Sequence, residues 1–383
     1  MKSRLLTPAQ AQVPQRVVAA MTKPLPVPRS EEFRVLFKEV CAGLGRLFQT
    51  EHQVLTLTTS GTGAMEAAIV NFLRQGDKVI TIEGGKFGAR WGEIARVYGL
   101  RVVALQVPWG ESACLEQLKA LLPQHPDAAA VFLTHSETST GVAFDIQSIA
   151  QIVRAESETL VIVDGISAVG VLPFYKDDWG IDVCVSASQK ATMLPPGLAF
   201  LAVSEKGWRQ AETANLPRHY FDILKAREAL ALHDTPWTPA TALIAGLREA
   251  LRMILDEGLQ QRWQEYAALA LAARAAAQAI GLDLFARSPS NAVTAIQLPQ
   301  GIDGREFVKQ LRSKYGVTVA GGQEHLKGKI FRVAHMGDCD LLDIIAFASA
   351  MELALRDLGW RYEWGKAIAA AQAAYAKHTR PVE

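Results

Sequence analysis

The sequence predicts an α/β chain: a mainly parallel sheet flanked by helices, followed by a smaller α+β unit. Three observations predict it. Between residues 50 and 205, short apolar runs alternate with helical patterns, which is the signature of strand–helix–strand crossovers. The runs are rich in Val, Ile and Leu without clean alternation, as strands covered on both faces should be. After residue 205 the texture shifts to long Ala- and Leu-rich helical stretches, then to short strands between helices.

Taken in order, the expected strands are 78–82, 101–107, 129–133, 160–163, 183–185 and 198–203, with helices at 90–98, 116–122 and 146–155 between them. An earlier helix follows Ser60, with an apolar face of Met65, Ala68, Ile69, Phe72 and Leu73 at steps of three and four. Residues 241–257 and 259–280 read as two helices broken at Glu257-Gly258, since glycine commonly ends a helix. A strand at 292–298, a helix at 305–315, strands at 317–319 and 330–333 and a helix at 341–358 complete the smaller unit. A last helix is expected at 367–377. The expected division is a large domain over 1–257 and a small C-terminal one over 258–383. Without a low-complexity linker the halves should pack together, and the N-terminal segment is expected against the small domain or a partner subunit.

Composition narrows the function classes. The net charge is +1, with 40 basic and 39 acidic residues, so neither a nucleic-acid surface nor a polybasic membrane patch is expected. The four cysteines (Cys41, Cys114, Cys184 and Cys339) form no CxxC pair, so no metal site or disulfide framework is expected, only reduced, mostly packed thiols of a cytoplasmic protein. The opening residues lack the apolar stretch of a signal peptide, and 266–282 is interrupted by Arg274 and Gln278, so no membrane association is expected.

Open parallel sheets bind ligands beyond their strands' carboxyl ends. Asp164 follows one expected strand, Lys190 another, His135–Thr138 a third and Gly84–Phe87 a fourth, so one site is expected there. Thr58-Thr59-Ser60-Gly61-Thr62-Gly63 opens a helix with small residues that leave backbone N–H groups free for an anion. It lacks the GxxxxGK[ST] lysine and GxGxxG, so a single phosphate monoester fits better than a nucleotide; taken alone the segment reads equally well as an ordinary N-cap. A phosphate cradle, a lysine and an aspartate together match the needs of pyridoxal phosphate: an amine, an acid for the ring nitrogen and donors for the phosphate. Taken alone, Lys190 reads as a surface lysine and Asp164 as a helix cap.

Residues 58–68 (TTSGTGAMEAA), 86–95, 133–142 (LTHSETSTGV), 161–170 (VIVDGISAVG) and 180–197 (GIDVCVSASQKATMLPPG) resemble the class V, fold-type-I aminotransferases. The nearest branch is that of the alanine/serine–glyoxylate enzymes, which includes relatives called the small subunit of a cyanobacterial soluble hydrogenase. The resemblance implies pyridoxal 5′-phosphate, a Schiff base on Lys190, and Asp164 paired with the ring nitrogen. It implies Ser60, Gly61, Thr62 and Gln189 around the phosphate, Phe87 stacked on the ring and Thr138 near the ring oxygen, with Ser139 one step away. Arg332 matches the arginine that clamps the substrate carboxylate, a role suited to a guanidinium fork. Thr238, in Thr235-Pro236-Trp237-Thr238-Pro239, matches a segment reaching from one subunit into its neighbour's phosphate site, which implies a homodimer. The implied reaction is a ping-pong transfer from serine or alanine to glyoxylate or pyruvate. Two departures bear on substrate: Leu6-Thr7-Pro8-Ala9-Gln10 replaces a Leu-x-Pro-Gly-Pro turn, so another loop path is expected, and Pro28-Arg29 replaces a histidine–arginine pair. A lyase or desulfurase on the same scaffold, or a non-catalytic partner subunit, remain as alternatives.

Overall fold

The computed structural model describes residues 3–379. Seven strands form the main sheet, in the order Val54–Leu57, Ala199–Val203, Val183–Ala187, Leu160–Asp164, Ala128–Thr134, Lys78–Glu83 and Arg101–Gln106. Ala199–Val203 runs antiparallel to both neighbours, and the other strand pairs are parallel. Leu160–Asp164, Val183–Ala187 and Ala199–Val203 are buried at every residue, because helices cover both faces of the sheet; the edge strand Arg101–Gln106 stays partly exposed.

The expected strands are all present, most of them one or two residues longer at an end. Val54–Leu57 was not expected, since four residues of Val-Leu-Thr-Leu carry too little pattern to be told from a loop. The helices Gln15–Thr22 and Glu31–Phe48 are likewise additional to the expected elements. Both pack against Thr241–Glu257, and Ser30 caps the second by accepting the Phe33 N–H.

Gly258 joins Thr241–Glu257 to Leu259–Ala279 with φ of +90°, a conformation that costs glycine little. The first of these helices packs into the core beneath the main sheet, the second into a second apolar core. That second core holds the three-stranded antiparallel sheet Val293–Gln297, Ile330–Ala334 and Ala320–Gly321, with Gly304–Tyr315, Leu341–Asp357 and Lys366–Thr379 around it. It also takes in Leu6, Ala168, Val171 and Ala191, so the chain's two halves share buried surface. Arg4–Leu5 pairs in parallel with Val317–Thr318, which seats the N-terminal segment on the smaller half. No helix among the described residues is long and apolar enough to cross a membrane.

Candidate active site

Nine of the ten residues expected at the site line one cavity of about 250 Å³: Ser60, Gly61, Thr62, Phe87, Thr138, Asp164, Gln189, Lys190 and Arg332. Most of them come from the carboxyl edge of the main sheet. Asp164 is the last residue of its strand. Lys190 sits in a loop stapled through Ser188, whose hydroxyl donates to the Pro195 carbonyl at 2.8 Å and accepts the Leu198 N–H at 3.2 Å. Thr192 closes the loop by donating to the Ser188 carbonyl at 2.8 Å. Arg332 arrives from the smaller half: strand alternation sends Phe331 and Val333 into the second core and Arg332 to the opposite face.

Burial tunes the charged groups. Exclusion from water lowers the Lys190 ammonium from its ordinary value to about 8; the Arg332 charge works in the same sense and Asp164 against it. The Lys190 Nζ donates to the Pro8 carbonyl. Burial raises Asp164 to about 7, opposed by the Ile166 N–H that donates to its Oδ1 at 2.8 Å and reinforced by the Glu137 charge. Burial likewise brings Arg332 down to about 10, with Glu137 opposing. The Arg332 guanidinium donates from Nε and Nη2 to the Gly321 carbonyl at 3.0 and 2.8 Å, and from Nη1 to the Thr138 carbonyl at 2.8 Å. No carboxylate among the described residues lies within ion-pair distance of it, so its charge stays available to an anion.

The helix Gly61–Phe72 begins at the cavity. Its N-cap, Ser60, makes no side-chain capping bond, so the first-turn N–H groups and the Ser60 hydroxyl are left for a ligand. A Cβ on Gly61 would lie 2.6 Å from Ile166 Cδ1, so this turn and the Asp164 loop approach closely. The buried Gln189 Oε1 has no partner. Phe87 is half-buried, with its ring in the cavity wall and the Arg90 guanidinium 4.8 Å above it. Arg90 also donates to Thr62 Oγ1 at 3.2 Å.

Thr238 is not part of this cavity. It is exposed and lines a separate, small hollow with Thr58, Tyr220 and Trp237. Between the two neighbouring hydroxyls, Thr138 reaches the cavity whereas Ser139 turns away to Glu137. The replaced turn at Thr7-Pro8-Ala9 lies in the cavity wall, and Ala9 has no positive φ. Arg29, by contrast, is exposed and outside it.

Sequence reasoning missed Arg90, although it lies three residues after Phe87 on the same helix face, a spacing that signals a shared surface. It missed Glu137, which lies inside a quoted motif, and also Gln323 and the Pro8 carbonyl, for which no local signal exists. No cysteine lines the cavity, and Cys114 is exposed rather than packed. A larger cleft of about 960 Å³ at the opposite end of the strands, around Lys176, Asp177 and Asp182, gathers none of the expected residues.

The family model described as aminotransferase class-V matches residues 5–336. The chain is 42% identical to the soluble hydrogenase small subunit of a Synechococcus species, with 97% of each chain covered. It is 34% identical to the serine–glyoxylate aminotransferase of Methylorubrum extorquens, over 97% of this chain and 95% of that one. Among solved structures, an alanine–glyoxylate aminotransferase from a Nostoc species superposes with a TM-score of 0.89 at 30% identity, over 93% and 96% of the two chains.

Proposed function

The chain belongs to the class V aminotransferases, and on that premise we propose that it transfers the amino group of serine or alanine to glyoxylate or pyruvate. The family's cofactor is pyridoxal 5′-phosphate, and the donor set in the cavity suits it. The uncapped helix start suits a phosphate, the buried Asp164 a ring nitrogen and the half-buried Phe87 a ring face. When bound, the cofactor supplies a carbonyl that captures amines and a ring that withdraws electrons from the bond to be broken.

The observation that carries the reading is a buried lysine sharing one cavity with Asp164 and an open helix N-terminus. Lys190 would hold the cofactor through its Nζ, and that Nζ, as a free amine, would take the proton from the substrate Cα. Asp164 keeps the ring nitrogen protonated. Arg332 orients the substrate carboxylate with its unused donors, while its bonds to Gly321 and Thr138 fix the plane of the fork. Ser60, Gly61, Thr62 and Gln189 would hold the phosphate, and Thr138 would serve the ring oxygen.

In this reading 1–257 is the cofactor-binding domain, 258–383 the smaller one, and the assembly a homodimer working in the cytoplasm. Thr238 serves the partner subunit's phosphate site. Its exposure supports this, as does the anchoring of its segment by Trp237 Nε1 donating to the Tyr220 carbonyl at 2.8 Å. A desulfurase is disfavoured because no cysteine faces the cavity. A purely structural subunit has no use for a lysine whose ammonium form is disfavoured.

The test is a panel of amino donors against glyoxylate, pyruvate and 2-oxoglutarate, with Lys190→Ala as control. Transfer from serine or alanine that vanishes in the control supports the proposal. Release of pyruvate or sulfide from single amino acids, without an acceptor, overturns it.

A further inference from the structure

Glu137 is a fully buried carboxylate with no role in the scheme above. It accepts four hydrogen bonds: Oε2 from the backbone N–H of Phe87 and of Gly88, both at 2.9 Å, and Oε1 from Ser139 N–H at 3.0 Å and Ser139 Oγ at 2.6 Å. The Ser139 hydroxyl in turn accepts the Lys86 N–H at 3.0 Å. Lys86, Phe87 and Gly88 are the first turn of the Lys86–Val97 helix, whose own N-cap is Gly85 and has no side chain to offer. The cap is therefore delivered in trans, from a segment some fifty residues away. A carboxylate there also meets the positive end of the helix dipole.

The residue between the two capping groups is Thr138. Its side of the loop lines the cavity, and its carbonyl holds the Arg332 guanidinium at 2.8 Å. One short segment thus fixes the helix that carries Phe87 and, through the next carbonyl, the arginine from the other half of the chain. The contact is close. A Cβ on Gly85 would lie 2.4 Å from Glu137 Cδ and 2.6 Å from Ser139 Oγ.

We propose that Glu137 is a positioning residue for this site: by capping the Phe87 helix in trans and fixing the Thr138 carbonyl, it sets the ring-stacking face and the carboxylate-binding fork relative to each other. The proposal rests on the reading of the cavity as a pyridoxal 5′-phosphate site. Burying a carboxylate is costly, and four donors together with the Arg332 and helix-dipole charges offset that cost.

The test uses the full chain with pyridoxal 5′-phosphate and two variants, Glu137→Gln and Ser139→Ala. Three quantities are read: cofactor dissociation constant by absorbance titration, visible circular dichroism per bound cofactor, and KM against kcat for the amino donor. Glu137→Gln presents an NH2 group to part of the N–H donor set, so cofactor affinity should fall about tenfold, as for loss of a hydrogen bond to a charged group. The circular dichroism band should change in intensity as ring packing loosens, and KM should rise more than kcat falls. Ser139→Ala, which loses one capping acceptor, should shift the same three quantities by less. A purely structural role would lower the melting temperature and leave the circular dichroism per bound cofactor and KM at wild-type values, overturning the proposal. If Glu137→Gln does not fold, Ser139→Ala decides by the same measures. The cavity reading fails separately, if Lys190→Ala still forms a borohydride-fixed adduct.

Discussion

The Nη1 of Arg332 donates to the carbonyl of Thr138 at 2.8 Å, joining two residues 194 positions apart. The bond crosses from the small antiparallel sheet to the carboxyl edge of the main one, and closes the cavity between them. With both Gly321 bonds it leaves the guanidinium plane little freedom to turn, so the fork is in place before a carboxylate arrives.

Arg332→Lys keeps the charge but loses the fork and its carbonyl ties. The expected loss is roughly 1.5–3 kcal/mol, tenfold to a hundredfold in kcat/KM, with cofactor affinity near wild type. Steady-state kinetics beside a cofactor titration check this. A variant with wild-type kcat/KM would remove Arg332 from substrate binding.

Capture of pyridoxal 5′-phosphate requires the neutral amine of Lys190. Its rate should therefore rise with pH through about 8, well below the ordinary lysine range. The Arg332 charge helps hold the Lys190 value down, so Arg332→Gln should move the midpoint to higher pH. Asp164 works in the opposite sense, so Asp164→Asn should move it lower. Stopped-flow absorbance on cofactor-free protein reads the midpoint, and a shift of the Arg332 variant to lower pH would contradict the electrostatics.

Asp164 gives a stability signature in the cofactor-free protein. The folded chain keeps this carboxyl protonated up to about pH 7, whereas the unfolded chain releases the proton near 3.8. Unfolding then releases a proton between these values, so the contribution of Asp164 to stability falls as pH rises across that window. His135 and His335, buried and held neutral to about 4 and 3, run the other way, so the informative quantity is the difference between wild type and Asp164→Asn. The variant should gain on wild type from about pH 4 to pH 7, read by urea denaturation. A constant difference across that range would show that Asp164 is not held protonated.

Gly85→Ala tests the trans cap without replacing its acceptors. The added methyl would overlap the Glu137 carboxyl carbon and the Ser139 hydroxyl, and overpacking of this kind costs about 1–3 kcal/mol. Thermal unfolding should show the loss, together with weaker cofactor binding. Unchanged melting and affinity would mean that this loop yields freely.

The strand and helix series of the main sheet was legible because fully buried strands and amphipathic helices write their burial into local composition. Lys190 and Asp164 are legible for a related reason: each lies at or just past the end of an expected strand, so its place at the sheet's edge is fixed by its position in the chain, whereas the Ser60–Thr62 turn is legible as the small-residue start of an amphipathic helix. Val54–Leu57 was lost because a four-residue run carries no period.

What the tertiary structure alone decided is how distant segments meet. The Pro8 carbonyl against Lys190, the Glu137 carboxylate on the Phe87 helix and the Arg332–Thr138 bond all join backbone groups to side chains far along the chain. Every residue carries a backbone carbonyl and, proline apart, an N–H, so composition cannot mark which of them will be used; only the packing of distant segments against one another selects it.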